Sequence, residues 1–564
     1  MAGNRAVAER LARLQADQRR AATAPPGPVL CVAPAGSGKT TTLVARIAWL
    51  IDGGEAPESI CAITFNRRAA VELRERVAAA LEPLGSGLAH RVRIRTFHAL
   101  GLEMLRGAGR PVEPLLDRDE LLRTVRPDAP PAERRRLDTL LSRFKLDLDI
   151  DPEAILADPD AGPVSRTYVA YEAEIERRGG LDFDDLVARA LRLLEAEPAV
   201  LATWRERSAQ LLVDEAQDLD RAQLRLALTL AAPENRIFLV GDDDQSIYGW
   251  RLADVRRLLR LADEALPNLT RVDLETNYRC PAPVLERAVR LVEHNVERFT
   301  KVIRAGPKAD GRLLLAPTAA DDVDRAEAVL ASWPDDGGTQ AVLARTNREL
   351  LPVVVAAMRR EVPFRATGLV LPIESPLVDE LLDLAEEPPR VGGASEHPLL
   401  SLARVRAARV LDAQPGAASA GDDDLDPATD GDGIAASLLA WAAGCRDLDE
   451  LRARVEAMRT RLAALRSDDA RLLLATAHGT KGLEFDHVAV IGLDEGRFPS
   501  ARSVSEAVEP ERAMEEERRL AYVAWTRARR SLTLVYDPGA PSQFLLEAFS
   551  PKELGLSARH PKVA

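Results

Sequence analysis

The stretch that most constrains this chain is residues 29–51. A short apolar run (29–33) follows the proline-rich break APPGP (24–28) and leads into PAGSGKT (34–40). The chain then passes directly into TTLVARIAWLI, whose apolar positions recur at helical spacing. Strand, glycine-rich loop and helix in that order open an α/β nucleotide-binding unit. Gly36 and Gly38 let successive backbone N–H groups curl around phosphate oxygens, and the helix N-terminus adds its dipole. Lys39 reaches the outer phosphates and Thr40 offers a hydroxyl to Mg²⁺. Ala33 occupies the first position of the generic G-x-x-x-x-G-K-[ST] pattern. A plain glycine turn with a surface lysine is the bland alternative, and the strand-loop-helix context argues against it.

Further apolar runs at 60–64, 211–213 and 237–240 alternate with helical stretches, which predicts one parallel sheet. The first α/β domain is therefore assigned to 1–105 and 180–280, with 4–20 read as an amphipathic helix. Residues 106–179 are Arg-, Glu- and Leu-rich, broken by prolines and poor in strand signal, and are expected to form a helical insertion. A second α/β pattern follows, with strand candidates at 313–316, 341–344, 472–476, 487–491 and 531–536, giving a second domain over 281–375 and 466–545. Its halves are separated by 376–465. That region contains AQPGAASAGDDDLDPATDGDG (413–433), with six acids and no bases between Asp422 and Asp432. It is expected to be a reduced accessory subdomain with an acidic flexible linker.

The 564 residues carry 76 Lys and Arg against 89 Asp and Glu, a net charge of −13, with 46% hydrophobic residues. This excludes a chain disordered throughout and a polybasic coat protein, so a polyanionic partner must meet a local basic surface. Cys31, Cys61, Cys280 and Cys445 lie far apart without C-x-x-C spacing, against a disulfide framework or a cysteine zinc site. The N-terminus lacks a signal-type apolar core, and the longest small-apolar stretch (434–445) is well short of the ~20 residues that span a bilayer. A cytoplasmic protein without a membrane partner is expected.

A second chemical signature is LLVDEAQD (211–218), two carboxylates at the end of a buried apolar strand. There a hydrolytic NTPase keeps a metal-holding acid, Asp214, and a general base, Glu215, for the attacking water. Alone, an acidic pair after an apolar run is often just a helix start. Aromatics are only 4% of residues, yet Tyr248, Trp250 and Tyr278 cluster among charges and glycines.

Together with GDDDQSIYGWR (241–251), LETNYRCP (274–281), TAHGTKGLEF (476–485) and EEERRLAYVAWTRA (515–528), these signatures occur in the order of superfamily 1 DNA helicases. The chain resembles the UvrD/PcrA/Rep group from Gln18 to about Tyr536, excepting 376–465. The resemblance implies two RecA-like P-loop NTPase domains, with a helical insertion in the first and a reduced one in the second, and ATP with Mg²⁺ as cofactors.

It also implies residue roles. Gln18 reads adenine; Ala35, Gly36, Ser37, Gly38, Lys39, Thr40 and Thr41 hold phosphates; Thr40 and Asp214 hold the metal. Gln245 senses the γ-phosphate, Glu484 lies near the ribose, Tyr278 stacks on the base, and Arg279 and Arg527 approach the γ-phosphate. With Lys39, Asp214 and Glu215, the residues Gln245, Arg279 and Arg527 make up the implied catalytic set. DNA contacts are implied for Phe65, Asn66, Thr96, Phe97, His98, Tyr248, Trp250 and Arg251, and for His478 and Lys481, which couple the DNA track to the nucleotide. LDFDDL (181–186) matches the segment where the chain re-enters the first domain. Each has a duller reading: an arginine is usually solvated or salt-bridged, a lone histidine structural, and Trp250 plain core.

Departures from the group are specific. Thr41 stands where relatives often carry Arg, Asn66-Arg67 replaces Thr-Asn, Gln15 replaces Asn, and Leu252 stands where Gly is common. Residues 376–465 are short for a subdomain that touches duplex, and the chain stops soon after its last motor strand, so no appended nuclease domain is expected. The expected activity is an ATP-dependent DNA helicase that moves on single-stranded DNA, with 3′-to-5′ travel implied, in DNA repair, replication or recombination. Expected partners are single-stranded DNA, single–double-strand junctions and repair or replication proteins. The expected particle is a monomer or weak oligomer associated with the nucleoid. The alternatives are a translocase that strips proteins with little unwinding, a nucleotide-gated scaffold with an idle site, and a small-molecule P-loop kinase. The kinase would not need Trp250 or a second α/β domain.

Overall fold

The computed structural model describes residues 5–147, 155, 162–307, 310–386, 400–406 and 431–556. The chain forms two units, Met1–Tyr278 with Asn295–Gly306, and Arg279–His294 with Pro307–Ala564.

The first unit is built on six parallel strands: β1 (Val29–Val32), β2 (Ile60–Thr64), β3 (Arg93–Thr96), β4 (Gln210–Val213), β5 (Ile237–Gly241) and β6 (Thr270–Asp273), in spatial order β3-β2-β4-β5-β1-β6. Continuous apolar runs suit a parallel sheet covered on both faces. Alternation along each strand then sorts side chains between two cores. Leu30, Val32, Cys61 and Ile63 pack with Leu186, Leu191 and Leu226 on one face. Val29, Cys31, Ile60 and Ala62 pack with Leu43, Ile47 and Leu73 on the other. β3 and β6 escape a reading based on apolar runs because RIRT and TRVD alternate charged with apolar residues, as the two edges of a sheet permit.

The N-terminal stretch is two helices, Arg5–Arg13 and Ala16–Ala22, rather than one. Gln15 turns extended between them, and its N–H donates to the Gln18 carbonyl oxygen Oε1 at 3.1 Å. The helical insertion contains Arg118–Val125, Pro131–Leu146 and Pro163–Arg178, which close on their own small core of Leu121, Leu141, Tyr168 and Tyr171.

In the second unit β9 (Arg312–Pro317), β10 (Gln340–Ala344), β11 (Phe364–Arg365), β12 (Leu472–Thr476), β13 (Phe485–Val490) and β14 (Ala528–Tyr536) form a second parallel sheet, ordered β11-β12-β10-β13-β14-β9. The described helices of the accessory region, Pro376–Glu386, Gly431–Ala442 and Leu448–Leu465, do not stand apart: Leu381, Leu438 and Leu451 share one core with Val342 and Leu474 of the sheet. Most of the acidic stretch expected to be a flexible linker lies outside the described residues.

Residues 295–306 pack with the first unit, although the sequence assigns 281–375 to the second domain. Here β7 (Thr276–Asn277) pairs in parallel with β8 (Arg304–Ala305). Among the described residues no helix is long and apolar enough to cross a membrane. The four cysteines are buried and unbridged.

Candidate nucleotide and nucleic-acid sites

In the first unit the loop after β1 has the backbone that its sequence demands. Gly36 and Gly38 take φ of 67° and 88°, a region that favours glycine, and the helix Lys39–Asp52 begins immediately after. Gly38 is fixed a second way, because a Cβ there would sit 2.6 Å from Gln18 Nε2. That amide donates to the Ser37 carbonyl at 2.8 Å, so Gln18 lies against the loop. Tyr278 belongs to the same neighbourhood: its N–H donates to the Gly36 carbonyl at 2.9 Å and its ring is half exposed. Asn277, fully buried, donates from Nδ2 to the Ala35 carbonyl at 2.7 Å, a brace that sequence reasoning missed. The Lys39 ammonium donates to the Ala33 carbonyl at 3.1 Å, while Thr41 is exposed.

β4 delivers Asp214 and Glu215 beside this loop. Burial, and then the neighbouring Glu215 carboxylate, push the Asp214 acid up to about 7 against the pull of Lys39. Hard oxygen donors from Thr40 and Asp214 suit Mg²⁺, and Ser37 Oγ is buried without a protein partner, so the residues present fit a metal–triphosphate group. Glu215 sits at φ 53°, a strained conformation for a non-glycine residue. Gln217 holds it, donating from Nε2 to Glu215 Oε2 at 2.6 Å while its Oε1 accepts from the Asp242 N–H at 3.0 Å. Gln245 in turn donates to Asp242 Oδ2 at 2.5 Å. A hydrogen-bonded chain thus runs from Glu215, the expected base, through Gln217 and Asp242 to Gln245, the expected γ-phosphate sensor. Gln217 was also missed, although it lies within LLVDEAQD.

The expected DNA face is an aromatic row. Phe65 stacks on Tyr248 at 4.9 Å, Trp250 meets Tyr248 edge-on at 6.1 Å, and the Arg251 guanidinium lies 4.5 Å over Trp250. Trp250 is 54% exposed, which excludes the plain-core reading. His98 stacks on the exposed ring of Phe183 at 3.9 Å. Burial holds its pKa down at about 4, so it is a neutral ring at physiological pH. Phe183, inside LDFDDL, was not among the expected contacts.

One expected contact is corrected: Phe97 is buried in the core of the first unit, so its ring is not presented. Asn66 and Thr96 cap helices Arg67–Leu81 and Phe97–Gly107 with their side-chain oxygens, accepting from Ala69 N at 2.9 Å and Ala99 N at 3.2 Å, caps that do not use the Asn66 Nδ2 or the Thr96 hydroxyl hydrogen as donors.

In the second unit Arg279 donates to Glu484 Oε2 at 2.7 Å, so two expected nucleotide contacts engage each other. Burial alone would raise the Glu484 pKa, but Arg279, with Arg529 and Arg527, outweighs it and keeps the acid below its ordinary value. Arg527 is buried and donates to the Val523 carbonyl at 2.8 Å, the Leu483 carbonyl at 3.1 Å and Thr526 Oγ1 at 3.3 Å. His478 and Lys481 flank the turn after β12. Burial, with Arg345 and Lys481 nearby, drives the His478 pKa down to about 3, so this ring is neutral too.

Comparison with known proteins follows this geometry. The UvrD/REP helicase N-terminal domain family matches residues 14–265, and the UvrD-like helicase C-terminal domain family matches residues 446–538. DNA helicase II of Salmonella typhimurium (strain LT2) is 30% identical, over 92% of this chain and 84% of that protein. DNA helicase II of Escherichia coli K12 has the same identity and coverage. The ATP-dependent DNA helicase PcrA of Leuconostoc citreum is 29% identical, over 90% of this chain and 80% of its own length.

Proposed function

The chain belongs to the UvrD/REP helicase family and is an ATP-dependent DNA helicase; from that premise we propose how its residues divide the work. Lys39 and the N–H groups of the Gly36–Gly38 loop hold the triphosphate, Gln18 and Tyr278 hold the base, and Glu215 takes a proton from the attacking water. Thr40 and Asp214 would hold Mg²⁺, which when bound supplies charge neutralisation at the outer phosphates. Arg279 and Arg527 then meet the charge that develops on the transferred phosphoryl group, and Arg279 gives up Glu484 to do so. Gln245 registers whether the γ-phosphate is present.

Phe65, Tyr248, Trp250 and Arg251 offer flat faces to successive bases. Stacking of this kind is worth about 1–3 kcal/mol per base and carries no sequence preference. Grip that alternates with the nucleotide state turns hydrolysis into travel along a single strand, 3′ to 5′, in DNA repair, replication or recombination. The protein acts in the cytoplasm on nucleoid DNA, at single–double-strand junctions.

One observation carries this reading: a phosphate loop and an acid pair at a strand end lie in the same unit as an exposed aromatic row. The test is ATP-dependent unwinding of duplexes with a 3′ or a 5′ single-stranded tail. Unwinding only from the 3′ tail is expected, and unwinding only from the 5′ tail contradicts the direction. DNA-stimulated ATP hydrolysis without strand separation supports the rival translocase, which the small accessory region favours.

A further inference from the structure

Lys301 lies far from every signature in the sequence, yet its side chain is only 1% exposed and its ammonium meets three carboxylates: Asp242 Oδ1 at 2.9 Å, Asp243 Oδ1 at 2.5 Å and Asp244 Oδ2 at 2.8 Å. Three donors on a compact tetrahedral head match three convergent acceptors. The chain otherwise prefers arginine: only seven of its 76 basic residues are lysine, and one of those is Lys39. Neighbours of Lys301 reinforce the attachment. Arg298 donates to both oxygens of Asp244 at 3.0 and 2.9 Å, and the Phe299 N–H donates to Asp243 Oδ2 at 2.8 Å.

The carboxylate that Lys301 holds at Asp242 is also the one that orients Gln245, through Nε2 to Oδ2 at 2.5 Å. The Asp242 N–H continues through Gln217 to Glu215. At its far end the same segment is tied beneath the phosphate loop. The Gly306 N–H donates to the Asn277 carbonyl at 2.8 Å, and the Asn277 side chain braces Ala35. Residues 295–306 are thus fastened to both halves of the nucleotide site. In the sequence they are flanked by His294 and Pro307, which belong to the second unit.

We propose that Lys301 is a positioning residue that fixes Gln245 through Asp242 and makes 295–306 the segment through which the nucleotide state passes into the backbone leading to the second unit. This rests on the reading of Gln245 as the γ-phosphate sensor. Lys301 touches no substrate in this account; it acts only through Asp242.

Removing the cation alone would strand three buried carboxylates, so the informative variant is Lys301→Met with Asp243→Asn, which deletes one charge of each sign. Binding of fluorescent oligo-dT is measured for the full chain with and without a non-hydrolysable ATP analogue, beside thermal melting. Wild type, Lys301→Met/Asp243→Asn, Arg298→Gln and Gln245→Ala are compared. We expect the double variant to bind the analogue within about threefold of wild type yet lose at least about tenfold of the nucleotide-dependent change in DNA affinity, as Gln245→Ala does, with Arg298→Gln in between. A double variant that keeps the full change while Gln245→Ala loses it overturns the proposal and leaves the Gln245 reading standing. A loss that merely follows the unfolded fraction also overturns it, leaving Lys301 a structural ion pair. If Gln245→Ala itself keeps the full change, the sensor reading fails instead.

Discussion

The two units carry the same scaffold, six parallel strands, and opposite chemistry at their strand ends. The first ends β1 and β4 in a loop of backbone donors and an acid pair, of which burial and the neighbouring Glu215 push Asp214 up to about 7. The second ends β12 in a turn beside arginines already tied to carboxylate and carbonyl oxygens of its own unit. Buried acids are paired with cations in both units, Asp244 with Lys301 at 2.8 Å in the first and Glu517 with Arg345 at 2.8 Å in the second, but Asp214 and Asp220 of the first are pushed up to about 7 by burial. A shared fold therefore fixes where a site can lie, and the residues at the strand ends decide what it does.

The sharpest way to break this contrast is Lys39→Ala. It should lower ATP turnover by at least about 10³-fold, measured by phosphate release, while oligo-dT binding persists. Retained turnover would mean that the loop after β1 is not the chemical centre. Trp250→Ala should raise the DNA concentration for half-maximal ATPase stimulation by about tenfold, in line with one lost stacking partner, and reduce DNA-coupled turnover more than basal turnover. Equal losses would make the indole a packing residue.

The smallest effect tests the charge contrast itself. Burial raises Asp220 from its ordinary 3.8 to about 7, so between those values the folded state holds a proton that the unfolded chain has lost. Stability contributed by this group therefore falls as pH rises through that window. Asp220 also caps helix Arg221–Ala231, accepting from Gln223 N at 2.8 Å, a task that an asparagine oxygen performs equally well. Asp220→Asn should thus flatten this part of the pH profile and stabilise the protein by about 1–2 kcal/mol at pH 8, read from denaturant melts. An unchanged pH slope would show that the acid is not penalised by burial.

Much of this was legible in the sequence because its signals are local. A glycine-rich loop between an apolar run and a helix, or an acid pair ending an apolar strand, has its meaning within about ten residues of chain. The residues that escaped notice act over longer separations. Asn277 braces a carbonyl at Ala35, Lys301 meets carboxylates nearly sixty residues earlier, and Phe183 reaches His98 from the far side of the helical insertion. Nothing in their neighbours announces those partners. Phe97 failed for the opposite reason: the helix that follows the strand end needs a core residue at that position, and the structural use won.

The proposal that matters most is that Arg279 and Arg527 take part in ATP hydrolysis. Steady-state turnover and fluorescent-nucleotide affinity of Arg527→Lys, with single-stranded DNA present and folding checked by melting, test it directly. The account predicts a fall in kcat of at least about 100-fold with nucleotide affinity kept within about tenfold. A folded Arg527→Lys protein whose kcat stays within about threefold of wild type would contradict it.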